Sequence, residues 1–232
     1  MQENQSVRAA VLSSMDEQTA LQFQKLSKEF VKLMSYYKCA MMEVETRFHA
    51  LNEEYIFTFD RAPVNSIKTR LKTLPSVQEK MVRRNIPFTL EDMEQQLHDI
   101  AGVRVICAFP NDVYTMAKAF LEQDDIVLLE RKDYIENPKP NGYRSLHLIV
   151  AVPVHLAGGK RMTKVEIQIR TIAMDFWASL EHQLRYKRDV EFTEEMADEL
   201  HQCAILSAQL DERMDALREK MQNRPVSSGD SP

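Results

Sequence analysis

Two acidic side chains occupy positions where they could hold a divalent cation against phosphate. Asp99 precedes the apolar segment GVRVICAF (102 to 109), and Glu166 lies in the alternating segment KVEIQIRT (164 to 171). A carboxylate pair on neighbouring strands commonly binds magnesium, because this hard ion prefers oxygen ligands and keeps several waters beside substrate phosphates. A sheet with one wet face would also produce the alternation around Glu166. The pair is therefore a candidate Mg²⁺ site and not a unique signature.

Residues 61 to 84 are strongly basic, although the whole chain is acidic. Arg70 and Lys72 lie on the same side of a predicted strand, and Lys80 and Arg84 share one face of the helix that follows. A solvated face explains many such runs, but this convergence suits a polyphosphate. Single-stranded RNA is an alternative ligand, although no regular interleaving of aromatic residues accompanies the cluster. The glycines form neither GxxxxGK nor GxGxxG, so any phosphate would be held by side chains.

The loop KPNGYRSLH (139 to 147) could bind a nucleobase. Tyr143 could stack on the base while Lys139, Asn141 and His147 orient it. The alternatives are a turn tyrosine that covers a core edge and a structural histidine on a strand. The dipeptide His98-Asp99 is similar to a metal phosphohydrolase motif, but the further His and Asp residues of such a site are missing. Hydrolysis is therefore not expected.

Composition narrows the class of protein. The chain has 232 residues, 44% of them apolar, and a net charge of -5 from 30 basic and 35 acidic side chains. Fibrous and wholly disordered classes are excluded, and general affinity for nucleic acid or anionic membrane is not indicated. No secretory leader or membrane-spanning run is visible, so we expect a cytoplasmic protein without a membrane partner. The cysteines Cys39, Cys107 and Cys203 are expected to be buried thiols.

Periodicity predicts an α+β fold with a mixed sheet of about five strands, flanked by helices and with long helices at both ends. We expect one domain over 16–223, with an N-terminal tail (1–15) and a disordered C-terminal tail (224–232). The predicted strands are 64–73, 102–109, 125–134 and a hairpin of 145–154 with 164–170. The predicted helices are 16–56, 76–84, 90–97, 111–123 with Asn111 as its cap, and 172–223 with a break near 188–193; an extended stretch is expected at 57–59.

Four segments together resemble the synthetase domain of RelA/SpoT-type proteins, and in particular the single-domain small alarmone synthetases of the RelP and RelQ kind. They are RLKTLPSVQEKM (70 to 81), HDIAGVRVICAF (98 to 109), KDYIENPKPNGYRSLHLIV (132 to 150) and VEIQIRTIAMDFWASLEHQLRYK (165 to 187). The resemblance implies a nucleotidyltransferase-like sheet. It also implies transfer of the β,γ-pyrophosphate of ATP to the ribose 3′-hydroxyl of GDP or GTP in the stringent response, without hydrolase activity.

The same resemblance implies roles for individual residues. Asp99 would bind Mg²⁺, and Glu166 would ligate the ion or accept the proton of the 3′-hydroxyl. Tyr143 would stack on guanine. The ATP-binding residues would be Arg70 and Arg104 around adenine, with Lys72, Ser76 and Lys80 at the phosphates; the GDP or GTP site would add Lys139, Asn141, His147 and Gln168.

The chain departs from the longer family members in one motif. These commonly carry an Arg three residues before the Asp of KDY, where this chain has Glu130 followed by Arg131, so metal preference is not inferred from that position. Family members form homotetramers, and the stripe at 21–37 and the acidic stretch 191–199 are candidate assembly surfaces. RNA or an alarmone could act as a regulator. Two other functions stay open: a catalytically idle RNA-binding module, and a nucleotidyltransferase that moves AMP.

Overall fold

The computed structural model describes residues 17–185 and 192–222. Within these ranges six helices and five strands follow one another along the chain. The helices are α1 (Glu17–Phe59), α2 (Leu74–Arg83), α3 (Leu90–Gln96), α4 (Pro110–Leu121), α5 (Ile172–Arg185) and α6 (Glu194–Gln222); the strands are β1 (Val64–Leu71), β2 (Ala101–Cys107), β3 (Val127–Asp133), β4 (Leu146–Leu156) and β5 (Gly159–Thr171). The predicted tails, 1–15 and 224–232, and most of the predicted break at 188–193 lie outside the described residues.

The strands form one mixed sheet in the order β1-β2-β5-β4-β3. β2 and β5 run parallel, whereas the other neighbouring pairs are antiparallel. A parallel pair needs a long crossover, and here the chain passes through α4, β3 and β4 before it returns as β5. β4 and β5 form the predicted hairpin, whose turn includes Gly159 at φ +105°. The expected α+β fold with a mixed five-stranded sheet is confirmed.

Alternating side chains give the sheet two chemically different faces. Val165, Ile167 and Ile169 of β5 are buried, while Glu166 and Gln168 between them are only partly covered. Helices α1 and α4 pack on the apolar face, where Phe48 stacks on Phe120 with ring centroids 4.6 Å apart. Burial of these side chains supplies most of the folding free energy of such a layer. The polar side chains of the opposite face stay partly exposed, so they can contact a ligand.

Helix α1 is longer than the periodicity predicted. Phe57 to Phe59 are helical and not extended, and Tyr55 contacts Phe59 one turn later. The helix ends where Asp60 adopts φ 51° and its N–H donates to the Ile56 carbonyl. Neither α1 nor any other helix in the described ranges is long and apolar enough to cross a membrane.

Three further expectations were wrong or only partly right. The helix predicted to start at Asn111 begins at Pro110, with Phe109 as its cap residue, because proline already has the φ of a first helical position. Cys107 is buried and Cys39 partly so, but Cys203 is exposed. Within the proposed stripe at 21–37, Leu33 is buried in the protein's own core, which removes it from any assembly surface.

The two C-terminal helices are fastened to the end of β5. Thr171, the last residue of β5, donates its hydroxyl to Asp211 of α6 at 2.6 Å, and its Oγ1 accepts the Met174 N–H. Trp177 of α5 donates its indole N–H to the Leu200 carbonyl at 2.8 Å. These bonds hold α5 and α6 against the end of the sheet at which the connection between β3 and β4 (residues 134–145, called the acceptor loop below) joins β4.

Asp211 makes this attachment sensitive to pH. Burial raises the pKa of Asp211 above its usual value even though Thr171 donates to it. The folded state therefore holds the proton more tightly than the unfolded state, and stability falls as pH rises from the unfolded pKa, about 3.9. Asp211→Asn keeps an acceptor for Thr171 and carries no charge. We expect a higher thermal midpoint than the parent at pH 7 and no advantage below about pH 4.

Thermal unfolding from pH 3 to 8 measures this difference. Asp198→Asn, at an exposed position of the same helix, is the matched control and should leave the midpoint nearly unchanged. A lower midpoint for Asp211→Asn at pH 7 would contradict the prediction.

Candidate active site

A cleft of about 430 Å³ lies on the polar face of the sheet, over strands β1, β2 and β5. Its walls carry both charge signs. The lining side chains and backbone come from Lys68, Thr69, Arg70, Lys72, Asp99, Gly102, Val103, Arg104, Glu166 and Gln168. Six residues predicted from the sequence therefore line one cleft, and these include both carboxylates of the candidate metal site.

Strand register explains how residues distant in sequence meet there. Arg70 on β1 lies opposite Gly102 on β2, and Gly102 lies beside Glu166 on β5. Because glycine has no side chain, the floor between Arg70 and Glu166 stays open. The next row in the same direction places Arg104 beside Gln168. Parallel pairing of β2 with β5 thus places Arg104 next to Gln168, one row along the cleft from Glu166.

Asp99 is held by two lysines from different elements. Its Oδ2 accepts from Lys72 Nζ at 2.7 Å and from Lys80 Nζ at 2.6 Å. Burial opposes ionisation, but the two lysines outweigh it and keep the pKa of Asp99 below its usual value. The carboxylate is therefore charged at neutral pH, and two ammonium groups are concentrated at the end of the cleft.

Glu166 belongs to a short polar chain that reaches the acceptor loop. Its Oε1 lies 3.4 Å from His147 Nδ1, and His147 Nε2 is 2.8 Å from the Tyr143 hydroxyl. Burial alone would raise the pKa of Glu166, but contact with His147 offsets this and the pKa lies below its usual value. Glu166 is thus an ionised, partly buried acceptor that a neighbouring ring orients.

These two carboxylates fit a magnesium ion better than a structural transition metal. No group of three or more His, Cys, Asp and Glu side chains within residues 17–185 and 192–222 could enclose a metal. Asp99 Oδ1 is buried and has no hydrogen-bond partner, which leaves an oxygen free for an ion. Magnesium is commonly bound by one or two carboxylates with substrate phosphates and water completing its shell. Asp99 and Glu166 are residues of this kind.

The acceptor loop forms an aromatic cluster next to this polar chain. Lys139 Nζ lies 4.6 Å from the ring centroid of Tyr134 and 4.9 Å from that of Tyr143. Asn141 accepts the Tyr143 N–H at 3.2 Å, and its amide donates to Glu181 of α5 at 3.3 Å. The loop therefore presents a cation and two rings in an arrangement held partly by the C-terminal helices.

Gly142 allows this loop to pack closely against α6. It has φ +89°, and a Cβ placed there would lie 2.4 Å from the Ala204 Cβ. Any larger residue would have to move either the loop or α6, and the backbone conformation itself favours glycine.

The predicted residues divide into three groups by position. Arg70, Lys72, Asp99, Arg104, Glu166 and Gln168 line the cleft. Lys80 and His147 contact its two carboxylates, while Lys139, Asn141 and Tyr143 form the adjacent loop cluster. Ser76 lies apart from these groups: it is partly exposed on α2, and its hydroxyl is 3.0 Å from that of Thr73.

Sequence reasoning assigned no role to two charged residues beside the cleft. The alternation of residues 164–171 predicts that Arg170 lies on the polar face with Glu166, yet its side chain is only 2% exposed. Asp175, in the first turn of α5, forms ion pairs with three cations. An acid in a first helical turn is common for electrostatic reasons, so no local signal in the sequence distinguished Asp175.

Comparisons with known proteins place this architecture in a family. Residues 69–191 match the family model described as a region found in RelA/SpoT proteins. The GTP pyrophosphokinase YwaC of Bacillus subtilis is 41% identical over 185 residues, which cover 80% of this chain and 88% of that protein.

Two solved structures share the fold. The small alarmone synthetase 1 of Bacillus subtilis bound to its product pppGpp has a TM-score of 0.76 at 33% identity, covering 84% of this chain and all (100%) of that one. The same synthetase bound to AMPCPP has a TM-score of 0.71 at 29% identity, covering 85% and 100%. The chain described here belongs to the RelA/SpoT family and, within it, to the small alarmone synthetases.

Proposed function

We propose that this enzyme transfers the β,γ-pyrophosphate of ATP to the ribose 3′-hydroxyl of GDP or GTP, giving ppGpp or pppGpp and AMP. One observation carries the proposal. A cationic cleft that contains two carboxylates is joined, through the contact of His147 with Glu166, to an aromatic loop. Such a cleft can bind one nucleotide by its phosphates while the loop receives the other.

The donor ATP would lie along β1 and β2. Arg70 and Arg104 would enclose the adenine, because a guanidinium plane stacks well on an aromatic ring. Lys72 and Lys80 would hold the phosphates from the end of the cleft, where Asp99 already positions both ammonium groups. Ser76 would assist from the start of α2. The AMPCPP complex of the related synthetase supports a donor site of this kind.

The acceptor would lie against the loop and β4. Tyr143 would stack on guanine, while Lys139 and Asn141 would contribute polar contacts at its edge. His147 and Gln168 lie next to Glu166 and would direct the ribose 3′-hydroxyl toward it. The pppGpp complex of the related synthetase supports an acceptor site with these requirements.

The chemical step would be a direct displacement. The 3′-oxygen attacks the β-phosphorus of ATP, the bond from that phosphorus to the α,β-bridging oxygen breaks, and AMP leaves. Glu166, ionised at neutral pH, would accept the proton of the 3′-hydroxyl, or would help Asp99 hold a magnesium ion. A magnesium ion bound to Asp99 and Glu166 would neutralise phosphate charge. The remaining contribution of the protein is alignment of two nucleotides in a charged cleft.

The same reasoning supports a synthesis-only enzyme that assembles with copies of itself. The described residues contain no group of three or more His, Cys, Asp and Glu side chains that could hold a metal ion, as a metal phosphohydrolase requires, so we propose no hydrolase activity. Phe176 of α5 is 64% exposed, as is Leu206 of α6, and both line one apolar groove, which we propose as part of a homotetramer contact. We also propose that the enzyme acts in the cytoplasm and takes part in the stringent response.

Two alternatives predict different products. Incubation with γ-labelled ATP and GDP or GTP distinguishes them: label on the guanosine nucleotide supports pyrophosphate transfer, and release of labelled pyrophosphate supports transfer of AMP. If ATP stays intact and the protein binds single-stranded RNA with an affinity that falls steeply as salt rises, the result supports an RNA-binding module. The last two outcomes would refute the proposal.

We expect Glu166→Gln to lower synthesis by about a hundredfold or more, because general-base and charge contributions are of that size. The fold should persist, since Gln keeps the shape of the side chain. Label transfer and the far-UV spectrum measure the two effects. Glu91→Gln, at an exposed site on α3, is the control. Near-parental turnover of Glu166→Gln would show that the assigned role is wrong.

We expect Asp99→Asn to separate metal binding from anion binding. Without magnesium, Asp99 competes with phosphate for Lys72 and Lys80, so its neutralisation should tighten binding of inorganic tripolyphosphate by about fivefold. Lys80→Met should weaken the same binding. With magnesium, Asp99→Asn should lose synthesis. Titration calorimetry with EDTA measures the affinity; weaker tripolyphosphate binding by Asp99→Asn would contradict this account.

A further inference from the structure

We propose that Asp175 is a positioning residue that sets the geometry of both nucleotide sites, although it lies outside the cleft lining. It would hold Arg104 in place for the donor base and Arg170 in place beneath the acceptor loop. The inference rests on the proposed function and adds to it a residue that coordinates the two sites.

Three cations from neighbouring strands converge on this one carboxylate. Asp175 Oδ2 accepts from Lys68 Nζ at 3.0 Å, and Oδ1 accepts from Arg104 Nη1 at 3.3 Å. Oδ1 also lies 3.7 Å from Arg170 Nη1. Lys68 and Arg104 are directly paired across β1 and β2. Strand register therefore brings Lys68 and Arg104 together on the face that Asp175 meets.

The burial of these groups makes the carboxylate necessary. The side chain of Asp175 is 11% exposed and that of Arg170 is 2% exposed. Arginine does not give up its proton in a protein, so Arg170 stays charged. Without Asp175 it would be a buried charge beside a second guanidinium, a situation that is strongly unfavourable. Both arginines would be expected to leave their present positions.

Arg170 connects Asp175 with the acceptor nucleotide site. Its Nη2 donates to Gln168 Oε1 at 2.6 Å, and its guanidinium carbon lies 5.7 Å from the ring centroid of Tyr143. Gln168 in turn donates to Glu166 at 3.3 Å. A continuous set of contacts thus connects Asp175 with the loop ring and with the proposed base.

Arg104 connects Asp175 with the donor nucleotide site. Arg104 lines the cleft, its side chain is 36% exposed, and Asp175 is its salt-bridge partner. A stacking guanidinium must keep its plane fixed, and a carboxylate partner at one edge fixes it while leaving the face open. Asp175 therefore acts on the two nucleotides through two different arginines.

A purely structural role is the competing explanation, because an acid in the first turn of α5 also interacts favourably with the helix dipole. Binding constants distinguish the two. For Asp175→Asn we expect dissociation constants for AMPCPP and for GDP to rise about tenfold each, since small displacements of positioning groups have effects of that order. Calorimetry on the full chain measures both constants.

Asp125→Asn is the matched control. It removes another aspartate–arginine pair, with Arg47 at 2.6 Å, that does not line the cleft. We expect unchanged affinity for both nucleotides, whatever the change in thermal midpoint. In an Arg104→Met background, Asp175→Asn should add little to the loss of AMPCPP affinity while still weakening GDP binding.

Unchanged affinity of Asp175→Asn for both nucleotides, with or without a lower thermal midpoint, would overturn the inference. Loss of affinity for only one nucleotide would overturn the claim that Asp175 serves both sites. A parent protein that binds both nucleotides but transfers no label would refute the proposed function alone, because the binding comparison still decides the role of Asp175. A parent that binds neither would refute both.

Discussion

The parallel pairing of β2 with β5 is the constraint on which the site depends. It is the one parallel pair among the described strands, and it places Gly102 beside Glu166 and Arg104 beside Gln168. Because every second residue of a strand points to the same face, this register sets Arg104, Glu166 and Gln168 along one cleft. The antiparallel strands on either side then add Arg70 from one direction and His147 from the other.

Charge in the cleft is balanced by two aspartates with different surroundings. Asp99 is reached by Lys72 and Lys80 at the end of the cleft and retains one oxygen without a partner. Asp175, in the first turn of α5, lies beside the cleft and pairs with cations that the strands present on the same face. When substrate binds, Asp99 can bind a metal ion while its lysines bind phosphate. Asp175 is more buried, and its ion pairs are suited to fixing the positions of the arginines.

The C-terminal helices extend the site beyond the sheet. α5 contacts the acceptor loop through Glu181 and Asn141, and α6 packs against Gly142 through Ala204. Because α5 and α6 also carry exposed apolar side chains such as Phe176 and Leu206, the surface proposed for assembly and the support of the acceptor loop belong to the same two helices.

Local sequence determined much of this protein by itself. Period-two alternation predicted β1 and β5, and short apolar runs predicted the other three strands. Residue type and spacing selected Asp99, Glu166 and the basic residues of β1, because such patterns depend on near neighbours in the chain. Only the tertiary structure decided that Arg170 is buried, that Asp175 collects three cations, and that Cys203 is exposed. Those properties depend on which strands pair and which helix covers them, and contacts between residues far apart in sequence leave no periodic signal.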